Sequence, residues 1–205
     1  RKKDKIKKEH WGRFVLCGLT GVAINQMLFI KGLTLTSTIH AALLILVTPL
    51  LISVFALWVL KEALTIFKVL GLLLGVGGSV LLVMQKETTP AAPNYLLGDI
   101  LIIINAISYT IYFVLVKPLM AQYSPLQVIR MVFTVGFFMI LPFGWSELQT
   151  VDWQQFELTH ALALGGVVLT GTFLAYVFNA FGIQHLGAGV TGSYIYTQPV
   201  FAVLI

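Results

Sequence analysis

Charge is what this sequence has least of. Only 10% of its 205 residues are Asp, Glu, Lys or Arg, against about 25% in ordinary soluble domains, and 58% are apolar. Mean hydropathy is +0.93. So few charges cannot coat a water-facing globule, and the composition defines an all-α integral membrane protein once the length of its apolar runs is considered. Cysteine is nearly missing as well: Cys17 stands alone inside an apolar run, which excludes an intrachain disulfide. No HExxH, CxxC, GxSxG or P-loop pattern occurs, and no two carboxylates fall in one predicted pocket, so the usual marks of an enzyme are missing. Neither a cofactor nor a metal is expected. All eight acidic residues (Asp4, Glu9, Glu62, Glu87, Asp99, Glu147, Asp152 and Glu157) lie in loops or at the ends of apolar runs. No buried acidic relay for protons is therefore expected. A cleavable signal is not evident either: the chain starts at Arg1, and the basic run "RKKDKIKK" leads into a full-length apolar span rather than a short h-region.

What is present is a series of apolar runs at 14–33, 40–60, 66–84, 98–116, 126–145, 162–181 and 190–205. About 20 helical residues cross a hydrocarbon core, so the series predicts six complete spans and the beginning of a seventh. The alternation of a β-barrel is absent. Basic residues fix the orientation, because loops rich in Lys and Arg stay on the cytoplasmic side. Placing "RKKDKIKK" inside brings Arg13, Lys61, Lys68, Lys117 and Arg130 inside too, and eleven of the thirteen basic residues then share one face. A topology signal accounts for this basic run without nucleic acid, which is not an expected partner.

The end of the chain, "TGSYIYTQPVFAVLI", repeats the shape of an earlier stretch, "AALLILVTPLLISVF". Sliding the sequence by 150 residues aligns the first two spans with the last two without a gap. His10 meets His160, Leu19-Thr20-Gly21 meets Leu169-Thr170-Gly171, Gly32 meets Gly182, Ile45 meets Ile195 and Pro49 meets Pro199. These are seven identities in the 46 pairs from 10 to 55, and the coincident span edges and prolines strengthen them. The copies begin five spans apart, an odd number, so they cross the membrane in opposite senses. Inverted repeats of this kind underlie alternating access in many secondary transporters.

The segment "GVAINQMLFIKGLTLTSTIHAALLILVTPLLISVFALWVLKEALT" has an Asn-Gln pair in mid-helix, a Gly-Leu exit, a Thr-Pro kink and Lys-Glu at its inner end. With "LLGDILIIINAISYTIYFVLVKPL" and "YIYTQPVFAVLI", it resembles the EamA domain of the drug/metabolite transporter superfamily. The resemblance implies ten helices in two five-helix inverted repeats, about seven of which fall within these residues. It also implies a division into 1–89, the later part of the first repeat, and 90–205, the earlier part of the second. Its implied function is movement of a small organic metabolite, such as an amino acid exported across the cytoplasmic membrane. A membrane-embedded enzyme acting on lipid-linked substrates, or a membrane sensor or scaffold, is the alternative reading.

Polar residues in mid-span are the candidate substrate contacts, because lipid-facing amides are costly. These are Asn25, Gln26 and Thr48 in the first two spans, Asn105, Ser108, Tyr109 and Tyr112, spaced i, i+3, i+4 and i+7 on one face of the fourth, Tyr176 and Asn179 in the sixth, and Tyr194 and Gln198 in the seventh. Hydrogen bonding between helices is the competing use for each. Pro49 and Pro199 are expected gating kinks: each denies a hydrogen bond to the carbonyl four residues back, on Ile45 and Ile195. The expected partners are a small-molecule substrate and the lipid bilayer. A homodimer through the small-residue face of Gly71, Gly75 and Ser79 is weighed against packing within one subunit.

Overall fold

A computed structural model describes residues 6–63, 65–84 and 93–197. Helix is the only regular structure among them, as the lack of lipid-phase partners for free backbone groups requires. The first crossing is one continuous helical rod, Lys8–Leu35. It is built from α1 (Trp11–Gly18), a widened π-helical turn (Leu19–Ala23) and α2 (Ile24–Leu35). The second is broken into α3 (Thr38–Ile45) and α4 (Thr48–Leu60), followed by α5 (Ile66–Met84). Then come α6 (Tyr95–Met120), α7 (Pro125–Gln149), and a second rod made of α8 (Leu158–Gly166), a π-helical stretch (Val167–Leu174) and α9 (Ala175–Leu186). The described chain closes with α10 (Ala188–Ser193) and a 3-10 turn, Tyr194–Thr197. Among the described residues, five helical stretches are long and apolar enough to cross a membrane, and α5 adds a shorter apolar stretch over Ile66–Gly78.

The 150-residue spacing reappears in this order of elements. α3 starts at 38 and α10 at 188, and each rod carries its π-helical segment at the matching level. The second crossing breaks at Leu46 and Val47, whose N–H groups turn back to Leu43 and Leu44 at 3.2 and 3.1 Å. Pro49 stands two residues past this break, and its nitrogen has no hydrogen for the Ile45 carbonyl four residues back. It occupies the first turn of α4, where a missing N–H costs nothing. The matching Pro199, together with Gln198 and the proposed boundary at 89/90, lies outside the described residues.

Helix α6 is the central post, packed along α2 and against α1, α3 and α4. Its buried side includes Ile102, Ala106, Phe113 and Val116. Lipid tails are as apolar as these side chains, so close packing through small residues holds such helices together. Gly98 shows how close: a Cβ there would meet the backbone nitrogen of Thr36 at 2.5 Å. That neighbour is main chain and cannot swing away. Gly98→Ala is expected to destabilise the fold by about 1–3 kcal/mol, whereas Gly71→Ala, whose Cβ would meet nothing within 4 Å, should not. Thermal unfolding of both variants in detergent checks the contrast. Of the small residues on α5, Gly75 is used inside the subunit, against the ring of Tyr196.

Candidate functional site

A cavity of about 790 Å³ opens where α2, α6 and α9 meet the broken ends of α3 and α10. The π-helical turn explains part of its architecture. In Leu19–Ala23 the N–H of Ile24 reaches back five residues to Leu19, so the carbonyl of Thr20 loses its usual donor. Ser108 replaces it, its Oγ donating to Thr20 O at 2.8 Å. On the next residue, the Tyr176 hydroxyl donates to Gly21 O at 2.6 Å. Widened turns of this kind free carbonyls inside a helix, and here two other helices satisfy them.

Further polar contacts tie the walls together. Asn105 Nδ2 donates to Asn25 O at 2.7 Å, and Asn179 Nδ2 donates to the Tyr109 hydroxyl oxygen at 3.3 Å. The Gln26 side chain hydrogen-bonds with Tyr176. An aromatic cluster stands behind them: the Tyr176 ring lies edge-on to Phe133 at 4.8 Å and to Tyr109 at 6.5 Å.

Eight of the sequence-derived candidates line this cavity: Asn25, Gln26, Thr48, Asn105, Tyr109, Tyr176, Asn179 and Tyr194. Tyr112 does not. Its ring is 1% exposed and sits in the core beside Tyr109 and Tyr176. The i, i+3, i+4, i+7 pattern gave the correct side of α6 but not the depth, and Tyr112 lies two turns beyond Asn105, below the cavity. Ser108 is spent on Thr20. Sequence reasoning missed Phe29, Thr172, Phe178, Thr191 and Thr197, which also line the space. The repeat could have found Phe29, which stands 150 positions before Asn179. Four such pairs face the cavity: Asn25 with Ala175, Gln26 with Tyr176, Phe29 with Asn179, and Ile45 with Ile195. Among the described residues the lining contains no Asp, Glu, Lys, Arg or His.

Titratable groups gather elsewhere. At one end of the bundle Glu62 pairs with Lys117 and accepts the N–H groups of Ala188 and Gly189 at 3.0 and 3.3 Å. Its side chain is only 12% exposed. Burial opposes its charge, but the Lys117 and backbone donors outweigh that, and the carboxyl is held below the usual glutamate range. Its stabilising contribution is thus complete at neutral pH and is lost as the pH falls through the lowered pKa. At the opposite end Asp99 accepts from the Thr36 hydroxyl and lies 3.0 Å from His40 Nδ1. His40 is 43% exposed but paired with Asp99. The Glu157 and His160 couple is a helix cap, each side chain meeting the other's backbone at the start of α8. Among the described residues no group of His, Cys, Asp and Glu is arranged to hold a metal ion.

A multi-pass helical membrane protein with a polar cavity between the break in its second crossing and the end of α10 is the class that these features define. The family model for the EamA-like transporter family matches residues 1–84 and 96–205, and the chain belongs to that family. It is 26% identical over 187 residues to the uncharacterized transporter YetK of Bacillus subtilis, covering 91% of this chain and 57% of that relative. It is 24% identical to YyaM of the same organism, over all of this chain and 67% of YyaM. An uncharacterized transporter of Archaeoglobus fulgidus is 22% identical, over 98% of this chain and 68% of the relative. The chain thus spans between about half and two thirds of the length of these relatives. A crystal structure of a protein 22% identical shares the fold with a TM-score of 0.74, over 98% of this chain and 68% of the other.

Proposed function

We propose that the chain forms the core of a secondary transporter that moves a small, uncharged or zwitterionic organic metabolite, such as an amino acid, outward across the cytoplasmic membrane by alternating access. The observation that carries this reading is the cavity, lined among the described residues by amides, hydroxyls and aromatic rings without one formal charge and framed by residues 150 apart. An ion would find no counter-charge there. A neutral polar solute would find hydrogen-bond partners and ring faces. In this reading residues 1–89 and 90–205 belong to two oppositely oriented repeats, and rocking of one against the other exposes the cavity to either side.

The direct test is uptake of pooled metabolites by membrane vesicles carrying the full chain, in right-side-out and inverted preparations. Saturable movement of one solute supports the proposal, and its preferred direction distinguishes export from import. No movement of any pool member above vesicles lacking the protein would count against it.

Orientation has its own test. Single cysteines at Gln155 and Thr65, in a Cys17→Ser background, are expected to react with an impermeant thiol reagent from outside and inside respectively, following the basic-residue bias. Cys17 itself is fully buried. The reverse pattern would invert the topology.

A further inference from the structure

We infer that Glu62 is the bolt of the gate at the inner, basic end of the protein, holding α4 and α10 together beneath the cavity. This inference rests on the transport reading for its physiological purpose, though not for its test.

α4 packs against α10, with Ile52 against Gly192, where a Cβ would come within 2.9 Å of the isoleucine side chain. Ser53 faces Gly189 in the same seam and is 7% exposed. The other half of the second crossing, α3, packs instead on α6 and α5. The cavity lies directly above the seam: Thr48, at the top of α4, and Thr191, Tyr194 and Ile195, at the top of α10, all line it. A path from the cavity to the inner side must part α4 from α10.

Glu62 sits where that parting would begin. Lys61 takes a left-handed conformation, φ 52°, which ends α4 and turns the next residue back toward the bundle. The carboxylate then spans three helices: its own α4, α6 through Lys117, and α10 through the N–H groups of Ala188 and Gly189. Lys68, on α5, approaches its other oxygen at 3.9 Å. The receiving side is shaped for it. Gly187 has φ 90°, and a Cβ there would meet Glu62 Oε1 at 2.9 Å, so only glycine admits the carboxylate this close. Charge-assisted hydrogen bonds in so sheltered a place are stronger than neutral ones. They also break together, because one side chain makes them all. A single residue thus decides whether the seam is shut.

The test reads the seam without needing the solute. Ser53→Cys, in a Cys17→Ser background of the full chain, places a near-isosteric thiol in the seam, and an impermeant maleimide is applied to the inner face of inverted vesicles. With Glu62 intact, labelling is expected to be slow. Glu62→Gln removes the charge at nearly constant volume and is expected to raise the labelling rate about tenfold or more, and Glu62→Asp, shorter by one methylene, by less. An unchanged rate in Glu62→Gln would overturn the inference. If that variant does not accumulate in the membrane, Lys117→Met decides on the same readout: faster labelling supports the bolt, and an unchanged rate sinks it. Faster labelling in a protein that moves no solute would leave the bolt standing and remove the transport reading instead.

Discussion

Replacing Pro49 with alanine should leave the protein folded and inserted but lower transport by roughly tenfold, about 1.4 kcal/mol in the barrier of the slow step. Ile45 lines the cavity just before the break at Leu46 and Val47, and the proline nitrogen four residues on has no hydrogen to give its carbonyl. Alanine supplies that hydrogen and joins α3 to α4 as one stiffer helix. Folding should tolerate the change, since alanine is the better helix former. Motion should not, because α4 must tilt away from α10 while α3 stays on α6. The decisive comparison is initial uptake rate at equal amounts of protein in the membrane. Uptake at the parental rate would show that the break is only a packing feature.

A larger effect is expected from Asn179→Asp. The change conserves shape, yet it places a carboxylate in a wall without any compensating base. Asn179 donates its amide to the Tyr109 hydroxyl; a carboxylate can only accept there, so that hydroxyl must rotate to donate. Uptake of a neutral or zwitterionic solute at pH 7.5 is expected to fall about 100-fold. The loss should shrink as the pH is lowered, because burial raises a carboxyl pKa and protonation restores a neutral wall. Activity that rises with falling pH in the variant, over a range where the parent is flat, is the expected signature. Equal activity of variant and parent at pH 7.5 would show that Asn179 does not face the solute.

Several of these positions could be read from the sequence, for reasons that also explain the failures. Apolar length announced the crossings because hydrocarbon thickness is a fixed ruler. Helix ends were set too tight, since polar residues such as Lys8 and Arg13 carry the first rod well beyond its apolar run. The π-helical turns left no trace in the periodicity, because a single five-residue loop in a uniformly apolar helix changes no pattern. Pro49 signalled a break but not that it falls two residues earlier, with the proline itself seated harmlessly in the following turn. Asn25, Gln26 and Asn105 stood out as polar residues in apolar company, whereas Tyr112 carried the same signal and is sealed in the core. Glu62 carried the weakest signal of all. A loop glutamate beside a lysine resembles any solvated pair, and only the fold brings Lys117 and Gly187 to it.

The cavity pairs residues by ancestry and not by chemistry. Gln26 corresponds to Tyr176, and Phe29 to Asn179, so one half offers an amide where the other offers a ring. A solute with a polar end and an apolar end can satisfy such walls in one pose only. It would therefore be presented to the two sides of the membrane by different ends. Under the proposed alternating access, the outward and inward halves of the cycle would release it from unlike contacts, which would give a built-in difference in affinity between the two faces, set by side chains 150 positions apart.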